Sequence, residues 1–115
     1  MKRLLFVLLM LASYEMFAQV ECLDEPICVV QFNAGWNTAN SVDWCAGLSD
    51  CSYESVDIGA DPALATKYKI VVVPTIVIFK DGEEQERFQA NIMMKMEHTQ
   101  KDVQGSIDEI IMSDF

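Results

Sequence analysis

The residues of this sequence best suited to chemistry are four cysteines, Cys22, Cys28, Cys45 and Cys51, in two pairs each six positions apart. Thiol-disulfide exchange needs a thiolate of lowered pKa and a second sulfur close enough to release the mixed disulfide. A two-residue gap holds both sulfurs on one helical turn, and a gap of six does not. The spacing of Cys45 and Cys51 therefore fits first a structural disulfide tying a short helix to the next strand, worth about 2–3 kcal/mol through restriction of the unfolded chain. A displaced redox pair is one alternative, and free buried thiols packed as small hydrophobes are another. Cys22 and Cys28, on either side of "LDEPI", are local enough to form a second structural disulfide. A four-cysteine zinc site would want gaps of two to four residues, so no metal is expected.

The remaining candidates have simpler explanations. His98 is the lone histidine and has no serine or cysteine nucleophile beside it in any motif, which fits an exposed position near a helix start. Asp57, Asp61 and Asp81 fall at a strand end, a helix cap and a turn. Met93, Met94 and Met96 in "NIMMKME" read as a packed irregular segment, with thioether ligation of copper as the alternative. There is no phosphate-cradling glycine loop and no basic aromatic patch, and no cofactor is expected.

Positioning these residues requires an alternating order of elements. "ICVVQF", Ile27 to Phe32, is a continuous apolar run of the kind found in a strand buried on both faces. Val42, Cys45 and Ala46 recur at helical spacing and predict a short helix from about Ala39 to Leu48. "SYESVDI" alternates as a second strand. Asp61 followed by Pro62 predicts an N-cap and first turn of a two-turn helix. Pro74 interrupts a β-branched run, so a loop should precede a strand over Thr75 to Lys80. Asp81-Gly82 signals a hairpin returning through "EQERFQA". Val103, Ile107, Ile110 and Ile111 lie on one face of a closing helix from about Thr99.

Bulk properties bound the function. A chain of 115 residues with 51% hydrophobic content is sized for one domain. Residues 1–18 have Lys2 and Arg3 ahead of an apolar run from Leu4 to Ala12, the outline of a secretory signal peptide cleaved after Ala18. That run is shorter than the roughly 20 residues needed to span a bilayer, and Val20 and Glu21 lack the small side chains that lipid attachment at Cys22 would want. The net charge is −10, and removing residues 1–18 takes away two positive charges and one negative, which leaves residues 19–115 more acidic still. Phosphate backbones and anionic lipid surfaces repel such a domain, so neither nucleic acid nor membrane is an expected partner after cleavage. The expected location is secreted or periplasmic, where disulfides persist.

Two stretches resemble the thioredoxin family. "VVQFNAGW", from Val29, resembles its first core strand running into a tryptophan. "DIGADPALATKYKIVVVPTIVIFKDGEE", from Asp57, resembles its second strand, short helix and proline loop, with Tyr68, Ile70, Pro74, Thr75, Phe79 and Gly82 in family positions. The resemblance implies a thioredoxin-like α/β fold, a mixed sheet of about four strands with helices on both faces, and a cis Val73–Pro74 bond facing the redox position. There the sequence departs from the pattern: Trp-Cys-x-x-Cys becomes Trp36-Asn37-Thr38-Ala39-Asn40. The buried aspartate that commonly serves proton transfer is matched by Gln31, which does not titrate. The family's usual opening strand and helix are also missing.

The expectation is then a thioredoxin-like domain without thiol-disulfide oxidoreductase activity. It would bind an extended peptide or exported protein partner in a groove formed by Trp36, Asn37, Asn40, Val73, Pro74 and Thr75, with Trp36 as an apolar platform, the Val73 backbone offering strand-like hydrogen bonds and the two asparagines polar contacts. The competing expectations are a non-standard oxidoreductase or isomerase using Cys45 and Cys51, and a structural subunit of an exported assembly.

Overall fold

The computed structural model describes residues 20–114, and the expected signal peptide over residues 1–18 lies outside them. The sheet has the order β2-β1-β3-β4, built from β1 (Ile27–Asn33), β2 (Ser52–Asp57), β3 (Thr75–Lys80) and β4 (Glu83–Gln89). β1 is parallel to β2 and antiparallel to β3, and β3 pairs antiparallel with β4. Every residue of β1 is buried, as its unbroken apolar run requires of a central strand covered on both faces.

Alternation along the strands divides two cores. Val29, Ile76 and Ile78 point to one face and pack with Val42, Cys45, Leu48 and Phe88 and with Val103 and Ile107 of the closing helix α2 (Gln100–Met112). Cys28, Val30, Phe32, Val77 and Phe79 point to the other, under Leu64 of the short helix α1 (Pro62–Lys67). Val103 and Ile107 are fully buried, and each contributes about 1.5–3 kcal/mol relative to an exposed position. A reciprocal cap starts α2: Thr99 Oγ1 accepts the Asp102 N–H, and Asp102 Oδ2 accepts the Thr99 N–H.

The hairpin forms as its sequence predicts, with Asp81 and Gly82 both at positive φ, 51° and 84°, the pattern of a type I′ turn. Asp61 differs from expectation. Pro62 opens α1, but the Asp61 side chain makes no capping bond.

The larger difference lies between β1 and β2. The expected helix over 39–48 is replaced by two 3₁₀ turns, Gly35–Asn40 and Trp44–Gly47. Between them Ser41 is extended, and the side chain of Gln31 takes both backbone groups of Val42: Oε1 accepts the Val42 N–H at 2.7 Å and Nε2 donates to the Val42 carbonyl at 2.9 Å. A backbone bonded in both directions by a core amide cannot pair with its own helical neighbours, so the helical spacing of Val42 and Cys45 yields buried anchors on turns.

Candidate binding site

The site lies where β1 ends. The buried amides there form a closed network. Asn33 Nδ2 donates to the Asn37 carbonyl and to Ser41 Oγ, Asn37 Nδ2 donates to Asn33 Oδ1, and Asn40 Nδ2 donates to Asn37 Oδ1 at 2.8 Å. Asn37 Nδ2 also reaches the Val73 carbonyl at 3.4 Å, across to the loop carrying the cis Val73–Pro74 bond. Thr75 Oγ1 closes that loop by donating to the Val72 carbonyl at 2.6 Å.

The six expected groove residues are therefore brought together but do not all face outward. Trp36 is 72% exposed, whereas Asn37, Val73, Pro74 and Thr75 are buried and Asn40 is half-buried. The asparagines were expected to make polar contacts with a ligand, but their amides are committed to one another and to the loop. The Val73 carbonyl, expected to meet an incoming strand, faces Asn37. Neither asparagine offers a nucleophile or an electron pair that could be passed between sulfurs.

What faces solvent is apolar. A groove of about 230 Å³ runs beside Trp36, with Ile58, Ile70, Val71, Ile92 and Met94 among its walls. Val71 is 83% exposed and Ile92 95%, and Met93 beside them is 69% exposed. The expectation of a packed methionine segment is thus corrected for Met93 and Met94, while Met96 packs partly buried against the core, and the reason is local. Asn91 Oδ1 accepts the N–H groups of Met93 and Lys95, folding 91–95 into a tight turn that holds Ile92 and Met93 outward. The opposite wall is held by Arg87 of β4, whose guanidinium donates to the carbonyls of Tyr68 and Lys69 at 2.7 and 2.8 Å, at the start of the segment leading to Val71. Ile58, Val71, Arg87, Asn91 and Ile92 were not singled out in the sequence. The one available signal was asparagine directly after a strand with an apolar pair behind it.

The cysteines fall elsewhere. Cys22 and Cys28 form a disulfide with Cα atoms 5.5 Å apart. It lies at the opposite end of β1 from Asn33, about 16 Å away at the rise of a strand. Cys45 and Cys51, the pair first expected to bridge, are free thiols. Cys45 sits in the core among Val42, Leu48 and Val103, with Cys51 packed partly exposed against the same cluster. Burial, and then the neighbouring Cys51, push the Cys45 thiol up to about 12, and burial followed by Asp50 raises Cys51. Exchange requires a thiolate, and that environment disfavours one.

A larger depression of about 680 Å³ lies across the molecule beside Gly47, Gln100 and Gln104, but it is shallow and holds no cluster of groups suited to chemistry. Among the described residues no group of three or more histidine, cysteine or acidic side chains could hold a metal ion, and no helix is long and apolar enough to cross a membrane.

Comparison with known proteins agrees with the fold. A thioredoxin from Halobacterium salinarum superposes with a TM-score of 0.58 at 23% identity, over 81% of this chain and 85% of that one. The thioredoxin of Fasciola hepatica gives 0.51 at 25% identity, over 79% and 83%. In sequence, the chloroplastic thioredoxin Y1 of Arabidopsis thaliana is 42% identical over 40 residues, which is 35% of this chain and 23% of that protein. No family model matches the chain. The fold is thioredoxin-like, with a mixed four-stranded sheet and helices.

Proposed function

We propose that this chain is an exported thioredoxin-like binding module that carries out no thiol-disulfide exchange and holds an extended, apolar-centred segment of a partner protein. The observation that carries the reading is the open apolar rim of Trp36, Val71 and Ile92 beside asparagines whose amides are bonded to one another. A solvent-exposed tryptophan lining a concave apolar surface marks a place of association. Because the Val73 carbonyl faces Asn37, recognition rests on side-chain packing in the groove more than on strand-like pairing.

The Cys22–Cys28 bridge supports a second reading, redox chemistry relocated to that disulfide, and Cys45 with Cys51 would be a further relocated pair. Against both stands burial: Cys28 and Cys45 are almost wholly enclosed, and neither pair lines the groove. The bridge fits a scaffold role, stable in the oxidising compartment to which residues 1–18 would direct the chain.

The deciding experiment pairs turnover with binding. Wild-type protein is expected to leave the reduction of insulin disulfides by dithiol at its uncatalysed rate. It is also expected to retain an immobilised leucine-centred peptide that Trp36→Ala and Val71→Asp release. Catalysed insulin reduction, or retention unaffected by both substitutions, would overturn the reading.

A further inference from the structure

A second cavity adjoins the apolar groove and has no part in the role above. It is an open depression of about 170 Å³, lined by Asn33, Gly35, Thr38, Ser41, Ser55 and Asp57 together with Ala34 and Val56, with Asp57 and the hydroxyl-bearing side chains exposed. The two spaces share a wall. Gly35 and Asp57 face the polar cavity, while their chain neighbours Trp36 and Ile58 face the groove.

Asp57 provides the only formal charge in the cavity lining. Its Oδ1 accepts the N–H of Gly35 at 3.0 Å and of Gly59 at 2.8 Å, which fixes the carboxylate on the surface of the turn. Oδ2 takes no hydrogen bond, and Asp57 forms no salt bridge, among the described residues. The approach depends on the absence of side chains: a Cβ at Gly35 would stand 3.0 Å from Oδ2, and one at Gly59 3.0 Å from Oδ1. Thr38, Ser41 and Ser55 add hydroxyls to the same lining.

An anion is repelled from this lining, and an apolar group would cover Asp57 Oδ2 without giving it a partner. A donor-only cation satisfies both. The overall charge of −10 draws the same class of group toward the surface.

We propose that this cavity binds the lysine or arginine side chain of the partner segment whose apolar side chain fills the neighbouring groove. The inference rests on the binding role proposed above and names its ligand: an extended segment with a basic residue a few positions from an apolar anchor, one on each side of Trp36. The ammonium or guanidinium meets Asp57 Oδ2, and the hydroxyls of the lining take its remaining donors.

The test uses synthetic decapeptides with a central leucine, in which a lysine is walked along both sides, each matched by a peptide with glutamine in that place. Affinities are measured by calorimetry for the wild type, Asp57→Asn and Trp36→Ala. Asparagine keeps an Oδ1 acceptor for Gly35 and Gly59, so the turn is retained. At one lysine position the wild type should bind about fivefold tighter than to the glutamine partner, a gap that closes in Asp57→Asn and shrinks with salt. Trp36→Ala should weaken both peptides alike. Equal affinities throughout, or a gap that survives Asp57→Asn, would overturn the cavity's role while leaving the groove standing, provided Trp36→Ala still weakens binding. Failure of the wild type to bind any peptide of the set would overturn both.

Discussion

Gln31 ties the central strand to the loop that follows it through a single side-chain amide. At this buried position the amide bonds Val42 in both directions and also donates to the Tyr53 hydroxyl at 2.9 Å. Gln31→Leu strands the Val42 N–H and carbonyl inside the core, so urea denaturation should show a loss of about 3 kcal/mol. A substitution that costs nothing would mean the loop finds other partners. The same scale governs Cys45. Its thiol ionises near the ordinary 9.0 in the unfolded chain and near about 12 in the fold, so the unfolded state holds fewer protons between those values. Stability should be undiminished by this group below about pH 9 and should fall as pH rises toward 12, more steeply in the wild type than in Cys45→Ala, by thermal melts across that range. The sequence showed that Asn37 and Asn40 stand where the resemblance expects thiols, because that is a matter of residue type. It did not show that Asn37 and Asn40 turn inward, because an amide's direction is set by neighbours such as Asn33 and the Val73 carbonyl that are far apart or silent in a periodicity reading.

At the scale of elements, the strands, the hairpin and α2 were legible because each has a pattern of its own. β1 is a continuous apolar run, Asp81-Gly82 supplies two positive-φ residues, and Val103 and Ile107 repeat at helical spacing. The segment between β1 and β2 was misread as a helix because its helical spacing is real, while the Gln31 amide that breaks it comes from eleven residues upstream of Val42. The groove walls were illegible for a related reason. Tyr68 to Val73 follows no period, and its course is held by Arg87, a residue on an edge strand that reads as surface charge. Arg87→Leu frees the Tyr68 and Lys69 carbonyls and the Glu84 carboxylate it pairs with. The outcome expected is a loss of about 1–3 kcal/mol in stability together with faster amide exchange over residues 68–73. Unchanged exchange in that stretch would remove Arg87 from the account of the groove.

At the scale of the whole molecule, the fold keeps a surface and separates it from sulfur. The groove, Trp36 and the asparagine network occupy one end of β1, while the Cys22–Cys28 bridge occupies the other and Cys45 and Cys51 sit on the α2 face. Binding and thiol chemistry should accordingly be independent of each other. The measurement that tests this most directly is the affinity for a leucine-centred peptide, taken by calorimetry on native protein, on protein treated with dithiol and then alkylated, and on Trp36→Ala. The account predicts equal affinity for the first two and a loss of about tenfold or more for the third, the scale of a buried aromatic anchor. Binding abolished by alkylation of a protein that remains folded, or untouched in Trp36→Ala, would contradict it.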